Sequence, residues 1–433
     1  MFTIIFFLLY NLIIFPVLFI LLHIAAAFNL KFRNGILGRY RVLKDVRKFI
    51  AVSGAQNSDI FLFHCASMGE FEHIKPVLRE LKDRLPESRA VVMFFSPSGF
   101  DNVKSAPGVD LFIYSPFDWW LPLWRFYRLL KPRALIVAKY DAWPNQIWMA
   151  KLLGIPRFLI NATLYENSSR IKIPLRWFLK TIYSAFDRVM TISGTDRELY
   201  TKLIPAEKIV VVGDTKYDQV VFRSEESRRK NVLPENFCDG KTVLICGSTW
   251  PEDEIQLVPA IKAVAAEIPD FLAIICPHEP VLAHIEQLKS QFQEFHIRLH
   301  SELKESDCQP EDKTVLIIDR IGILANLYSV ADAAYVGGSF KQNVHNVLEP
   351  AAYGIPVLFG PVNHTSHEAQ LLKQNGGGLE VHSGEEITEH LQKIFRDPQT
   401  RKGVGEQAKK LVEDKGGATE RTLQTMLEVL KIF

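Results

Sequence analysis

From residue 59 onward, short apolar runs rich in β-branched and aromatic residues alternate with longer amphipathic stretches, in two successive series. Parallel neighbours in a sheet need a crossover connection, so this alternation forces strand–helix–strand units and a mostly parallel sheet. The first series places strands at 60–65, 90–95, 111–114, 134–138, 157–161, 188–192 and 208–212. The polar run 224–230 and then Pro234 break the rhythm, as a connection between domains does. The second series places strands at 242–246, 272–276, 314–318, 333–336, 356–359 and 378–381, and the residues from about 384 read as helical. A chain of 433 residues also exceeds the size at which one core stops growing. The expected α/β architecture is therefore two Rossmann-like, doubly wound domains, 30–222 and 241–433, joined by a linker at 223–240 and facing a cleft. Ligands of such sheets bind beyond the carboxyl ends of the strands.

The first thirty residues contain no Lys, Arg, Asp or Glu. Residues 1–29 are long and apolar enough for a membrane-anchor helix, and they lack the charged start of a cleaved signal peptide. Pro16 interrupts the run, so a kinked or interfacial segment is a second reading. Lys31, Arg33, Arg39, Arg41, Lys44, Arg47 and Lys48 follow, opposed only by Asp45. This excess puts the rest of the chain on the cytoplasmic side of the membrane, and it suits anionic membrane lipids. The net charge is only +2, which argues against a nucleic-acid partner. Cys65, Cys238, Cys246, Cys276 and Cys308 form no C-x-x-C pair and read as reduced, mostly buried thiols.

Several loops at expected strand ends carry chemistry. In the second series, Gly337, Gly338 and Ser339 end a strand where backbone can approach a ligand. A helix is expected to begin near His345 or Asn346, where free N–H groups suit a phosphate or carboxylate. Glu349 on its first turn could accept hydrogen bonds from ribose hydroxyls or be an ordinary helix-start charge. Gly247, Ser248 and Thr249 could cradle a phosphate through backbone and hydroxyl groups. Pro277 and His278 end a third strand. In the first series, Glu70 stands at a helix start just beyond a strand. It reads either as a cap or as a general base, and the helix dipole would lower its pKa and weaken it as a base. Asp141, in Lys139-Tyr-Asp-Ala-Trp-Pro-Asn145, could reach the same edge. Lys216, after the last strand of the series, could steady charge on a departing phosphate or be a solvated loop lysine. No two Asp residues stand two apart and no H-E-x-x-H occurs, so neither a metal nor any other cofactor is expected.

Taken in order, Phe63-His-Cys-Ala-Ser-Met-Gly-Glu70, Trp143-Pro-Asn145, Asn161-Ala162, Gly213-Asp-Thr-Lys-Tyr-Asp218, Gly247-Ser-Thr249 and the run Gly337–Pro361 resemble the 3-deoxy-D-manno-octulosonic acid (Kdo) transferases. These are glycosyltransferases of lipopolysaccharide assembly with the GT-B fold. The resemblance implies transfer of Kdo from CMP-Kdo to a lipid A precursor, lipid IVA, with inversion and without a metal. It implies that Glu70 is the general base and that Lys216 steadies the transition state. It also implies that CMP lies against Pro277, His278, the loop Ile321-Gly322-Ile323, and Asn346, Val347, Leu348 and Glu349. The chain departs from the family pattern where a Glu-x-Glu usually precedes Trp-Pro-Asn; here those positions are Lys139 and Asp141. It also has His278 and Thr163 where basic residues are common. Two other readings stand beside this one: a GT-B enzyme using a UDP-sugar, and a membrane-bound binder without activity.

Overall fold

The computed structural model describes residues 2–54, 58–101, 103, 105–166, 168–307 and 309–432; Cys308 lies outside them. The chain divides into two compact units, residues 1–219 with 416–433 and residues 220–415.

The first unit is built on seven parallel strands: β1 (Ile60–Cys65), β2 (Arg89–Phe94), β3 (Leu111–Tyr114), β4 (Ala134–Ala138), β5 (Arg157–Ala162), β6 (Arg188–Thr191) and β7 (Ile209–Val211). Their order is β3-β2-β1-β4-β5-β6-β7. The order reverses direction between β1 and β4, which makes their carboxyl ends the switch point of the sheet. Helices cover both faces, so every residue of β1 is buried, and its sequence is continuously apolar apart from His64. Phe61, Phe63 and Cys65 pack on one face against Ile74, Val77 and Leu78 of the helix Met68–Arg84. Ile60 and Leu62 share the opposite face with Val42 and Val46 of the helix Leu30–Ser53. The N-terminal stretch is helical from Phe2 to Phe28, with a π-turn at Tyr10–Ile14, and its Tyr10, Asn11 and Phe15 are buried.

The second unit holds β8 (Thr242–Thr249), β9 (Phe271–Pro277), β10 (His296–Leu299), β11 (Thr314–Ile317), β12 (Ala333–Val336), β13 (Val357–Phe359) and β14 (Gly378–Glu380). All are parallel, in the order β10-β11-β9-β8-β12-β13-β14, with the switch point between β8 and β12. Strand β10 has no counterpart in the sequence reading. It is a charged edge strand, partly exposed throughout, and apolar patterning does not mark it.

Two boundaries differ from the sequence reading. The expected linker at 223–240 begins inside the helix Thr215–Arg228, and Phe237 is buried in the second unit's core. The expected second domain, 241–433, loses its last segment, because the helix Ala418–Leu430 belongs to the first unit. Leu423, Met426 and Leu430 cover the β1 face beside Phe61 and Phe63. Asp218 takes the backbone N–H groups of Gly417 and Thr419 and the Thr419 hydroxyl, which fixes the helix start. An apolar helical stripe does not say which sheet it will cover, so the return was not legible.

Candidate active site

Glu70 is the third residue of the helix that follows β1. Ser67, the N-cap, accepts from the Glu70 N–H, and the Glu70 carboxylate reaches back to the Ala66 N–H at 2.5 Å. The cap reading therefore holds: this is close to a capping box, shifted by one residue. Glu70 is also buried, with 7% of its surface exposed. Burial raises its pKa, the Ala66 N–H opposes that, and the charge of Asp141 raises it again; the net direction is upward. The dipole argument made from sequence is overridden by desolvation.

Asp141 follows β4, directly beside β1 in the sheet. Its carboxylate accepts from His64 Nε2 at 2.8 Å and from the Trp143 indole N–H at 3.2 Å. Burial pushes Asp141 up, but the His64 bond and charge and the Trp143 bond hold it below the usual aspartate value. His64 is wholly buried in β1, and its Nδ1 lies 3.2 Å from Gln146 Nε2. An ionised Asp141 accepts only, so His64 presents N–H at Nε2. The switch point thus carries two carboxyl groups whose environments push them in opposite directions.

Lys216 opens the helix Thr215–Arg228 beyond β7, and its backbone N–H donates to Asp214. Asp214 also pairs with His73, three residues after Glu70 on the same helix, at 3.0 Å. Burial raises Asp214, while His73 and the Lys216 backbone hold it low. Thr215 donates its hydroxyl to the His73 carbonyl and receives the Asn161 amide at 2.6 Å. Glu70, Asp141 and Lys216 therefore stand beyond strand ends at one edge of one sheet, with Asp141 held by His64, and Asp214, beside Lys216, held by His73. Those three residues were not singled out from sequence; a lone His inside an apolar strand, as at position 64, was the signal for the first.

On the second unit, the loops after β8, β9 and β12 converge. His278 stacks on Trp250 at 4.8 Å and on His345 at 4.4 Å, and Trp250 Nε1 donates to His345 Nε2 at 3.1 Å. Burial and the neighbouring His278 lower the His345 pKa. Lys341 Nζ lies 4.1 Å over the Trp250 ring. Ser248 and Asn346 are half-buried, and Ile321 and Gly322 are exposed while Ile323 is buried.

Several expectations on this unit change. A Cβ on Gly337 would meet the Ser248 carbonyl oxygen at 2.4 Å, so the close approach there is to the chain's own backbone. Gly338 has φ +86 and donates to Asp253, which also holds the Trp250 and Phe340 N–H groups and the Tyr335 hydroxyl. Asp253, in the first turn of the helix Pro251–Glu267, is the post that holds this turn. Thr249 is buried and its hydroxyl donates to Glu254, not to an open phosphate cradle. Ser339 is buried too, and its hydroxyl receives the Gly360 N–H. The helix begins later than expected, at Leu348, and lasts six residues. Asn346 accepts the Leu348 N–H itself. Pro277, Val347 and Leu348 are buried and shape the loops from within. Glu349 pairs with Arg223 at 3.1 Å.

Comparison with known proteins gives this arrangement a family. The sequence family described as "3-Deoxy-D-manno-octulosonic-acid transferase (kdotransferase)" matches residues 39–219. The 3-deoxy-D-manno-octulosonic acid transferase of Haemophilus influenzae is 28% identical over 377 residues, 86% of each chain. That of Chlamydophila psittaci is 30% identical over 330 residues, 73% of each chain. Among solved structures, the UDP-GlcNAc 2-epimerase of Neisseria meningitidis superposes with a TM-score of 0.57 at 16% identity, over 86% of this chain and all of that one. The last likeness shows only the shared pair of doubly wound sheets, the GT-B architecture. The sequence matches run through the β1, β4 and β7 loops just described and onward into the second unit, and they make this chain a glycosyltransferase of the 3-deoxy-D-manno-octulosonic acid transferase family.

Proposed function

We propose that the chain transfers Kdo from CMP-Kdo to a lipid A precursor at the bacterial inner membrane, with inversion and no metal. In this reading the first unit takes the lipid and the second takes the nucleotide. Glu70 accepts the proton of the attacking sugar hydroxyl. The acceptor oxygen bonds to the anomeric carbon of Kdo, the bond from that carbon to the CMP phosphate oxygen breaks, and CMP leaves. Lys216 steadies the charge that builds on the phosphate.

The observation that carries these roles is the pair of carboxyl groups at the β1–β4 switch point. A buried, upward-shifted Glu70 holds and releases a proton nearer neutrality, and Asp141, held low by His64, stays ionised beside it. Asp141 thus keeps one acidic role of the family's Glu-x-Glu, and Lys139 adds a positive charge that moderates Glu70. For the nucleotide, the Trp250–His278–His345 stack offers a flat aromatic face beside the Lys341 ammonium.

Purified protein should convert CMP-Kdo and a tetraacylated lipid A precursor into a product heavier by Kdo, read by mass, and a chelator should leave the rate unchanged. No Kdo-bearing product, with the same protein active on a UDP-sugar, would overturn the donor assignment. Loss of turnover with chelator, restored by a divalent cation, would overturn the metal-free chemistry.

A further inference from the structure

Thr3–Phe28 is long and apolar enough to cross a membrane. One side of it, however, is docked along the first unit. Tyr10 donates to Asp118 at 2.8 Å. Asn11 and Asn145 exchange two amide hydrogen bonds, both 2.9 Å. Aromatic contacts extend this seam in both directions, from Phe7 against Trp148 to Phe19 and His23 against Phe117. His23 also bonds the Tyr40 hydroxyl. The seam from Phe7 to His23 spans roughly 24 Å of helix at ~1.5 Å per residue. A bilayer core is about 30 Å thick. A helix crossing it could not keep these partners, because they belong to the loops and helices of a folded sheet domain. The π-turn at Tyr10–Ile14 inserts the extra residue that lets Tyr10, Asn11 and Phe15 all face the seam.

The opposite side is unpartnered and apolar: Ile4, Leu8, Leu12, Ile20, Leu21 and Ile24 are exposed. Exposed tryptophans neighbour the helix's partners in sequence: Trp120 and Trp124 follow Trp119, which Phe15 touches, and Trp177 precedes Phe178, which Phe6 touches. Indole rings favour the boundary between headgroups and acyl chains. The next helix exposes Lys31, Arg33, Arg41, Lys44, Arg47 and Lys48. Arg39 is not among them, because its guanidinium binds the Phe95 carbonyl and lies over that ring.

We propose that this helix lies in the plane of one leaflet, its Asn11 side docked on the first unit and its Leu12 side among the acyl chains. The occupant of the apolar face is an anionic phospholipid leaflet, matched in charge by the basic helix. The chain is then monotopic, with its N-terminus on the same side of the membrane as both sheets. Asn145 is in the first turn of the helix after β4, so the docked seam meets the same sheet edge as Glu70. Resting on the transferase reading, this brings that edge to the leaflet in which a lipid acceptor stays anchored.

Topology is testable without any activity. A short uncharged tag with a protease site, fused ahead of Met1, is placed on the full chain in vesicles of phosphatidylethanolamine and phosphatidylglycerol. Vesicles with the sheets outward are captured through a C-terminal tag. Complete cleavage of the N-terminal tag without detergent is expected, with no further cleavage when detergent is added. A tag protected until detergent is added means a crossing helix and overturns the proposal. The captured protein should also stay with the vesicles at about 1 M salt, where charges are screened beyond roughly 3 Å. Release there means the apolar side is not in the membrane and overturns it equally. Failure of transfer activity with these topology results intact would instead count against the transferase reading.

Discussion

The two sheet edges are built alike in topology and differently in chemistry. Beyond β1 and β4 stand carboxyl groups in shared burial, with a histidine wholly inside the sheet to hold one of them ionised. Beyond β8, β9 and β12 stand stacked rings, and the carboxylate at their centre, Asp253, is turned inward to backbone N–H groups. In the proposed reading the first edge moves a proton and the second grips a flat anionic ligand. The contrast teaches that a switch point fixes where a ligand site lies, while the environment of its few polar groups fixes what the site can do.

The strongest attempt to break this contrast is Glu70→Gln. Transfer should fall by roughly 10²-fold or more, as for removal of a general base, while CMP affinity stays the same because CMP is assigned to the other edge. Turnover close to the unsubstituted rate would remove Glu70 from the chemistry. The pH profile carries the sign: the base acts deprotonated and burial raises its pKa, so the acid limb of kcat/KM should lie above the ordinary glutamate value. An acid limb at or below that value would contradict a desolvated Glu70.

His64→Leu comes next. It strips Asp141 of its main partner and leaves Gln146 facing an apolar side chain, a stability loss of about 1–3 kcal/mol. Because the charge interaction with His64 lowers Glu70, its removal should also shift the acid limb further upward and reduce transfer roughly tenfold. A lower Tm with an unmoved limb would make His64 a structural residue only.

How much of this was legible in the sequence follows from the same contrast. Thirteen strands were marked by apolar runs, since parallel strands buried on both faces carry no polar alternation; β10, with His296 and Arg298 on an edge, was not. The positions of Glu70, Asp141, Lys216 and His278 at strand ends were legible from motif order. The environment of each was not. The upward shift of Glu70 comes from its burial and from the charge of Asp141, three strands and two helices away in sequence, and a dipole argument from the local helix gave the opposite sign. Nothing in the local sequence separates Asp253 and Glu254 from other acidic residues at a helix start, yet one holds the glycine turn and the other takes the Thr249 hydroxyl. The apolar character of the N-terminal run was plain, but its docked side was not, because Asn11 means little until Asn145 is opposite it.

The second edge is probed by His278→Ala. Losing the ring between Trp250 and His345 should weaken CMP by about three- to tenfold, the size of an aromatic stack of ~0.5–1.5 kcal/mol, with kcat for bound donor nearly constant. A fall in kcat as large as that in affinity would mean that the second edge shares in the chemistry and that the contrast is wrong.

The smallest effect sharpens the role of Glu349. Its carboxylate is held by Arg223, whose side chain is 43% exposed, and a pair at that exposure is worth ~0.2–1 kcal/mol. A ribose hydroxyl must therefore share or replace a weak existing partner, and the net gain is a fraction of a full charged hydrogen bond. Glu349→Ala should lower CMP affinity by about threefold. Arg223→Ala separates the two uses of the carboxylate. If Glu349 serves the ribose, freeing it from Arg223 leaves affinity equal or slightly higher. If both substitutions weaken CMP alike, the ion pair acts as a unit that shapes the loop, and if neither does, Glu349 has no part in holding the donor.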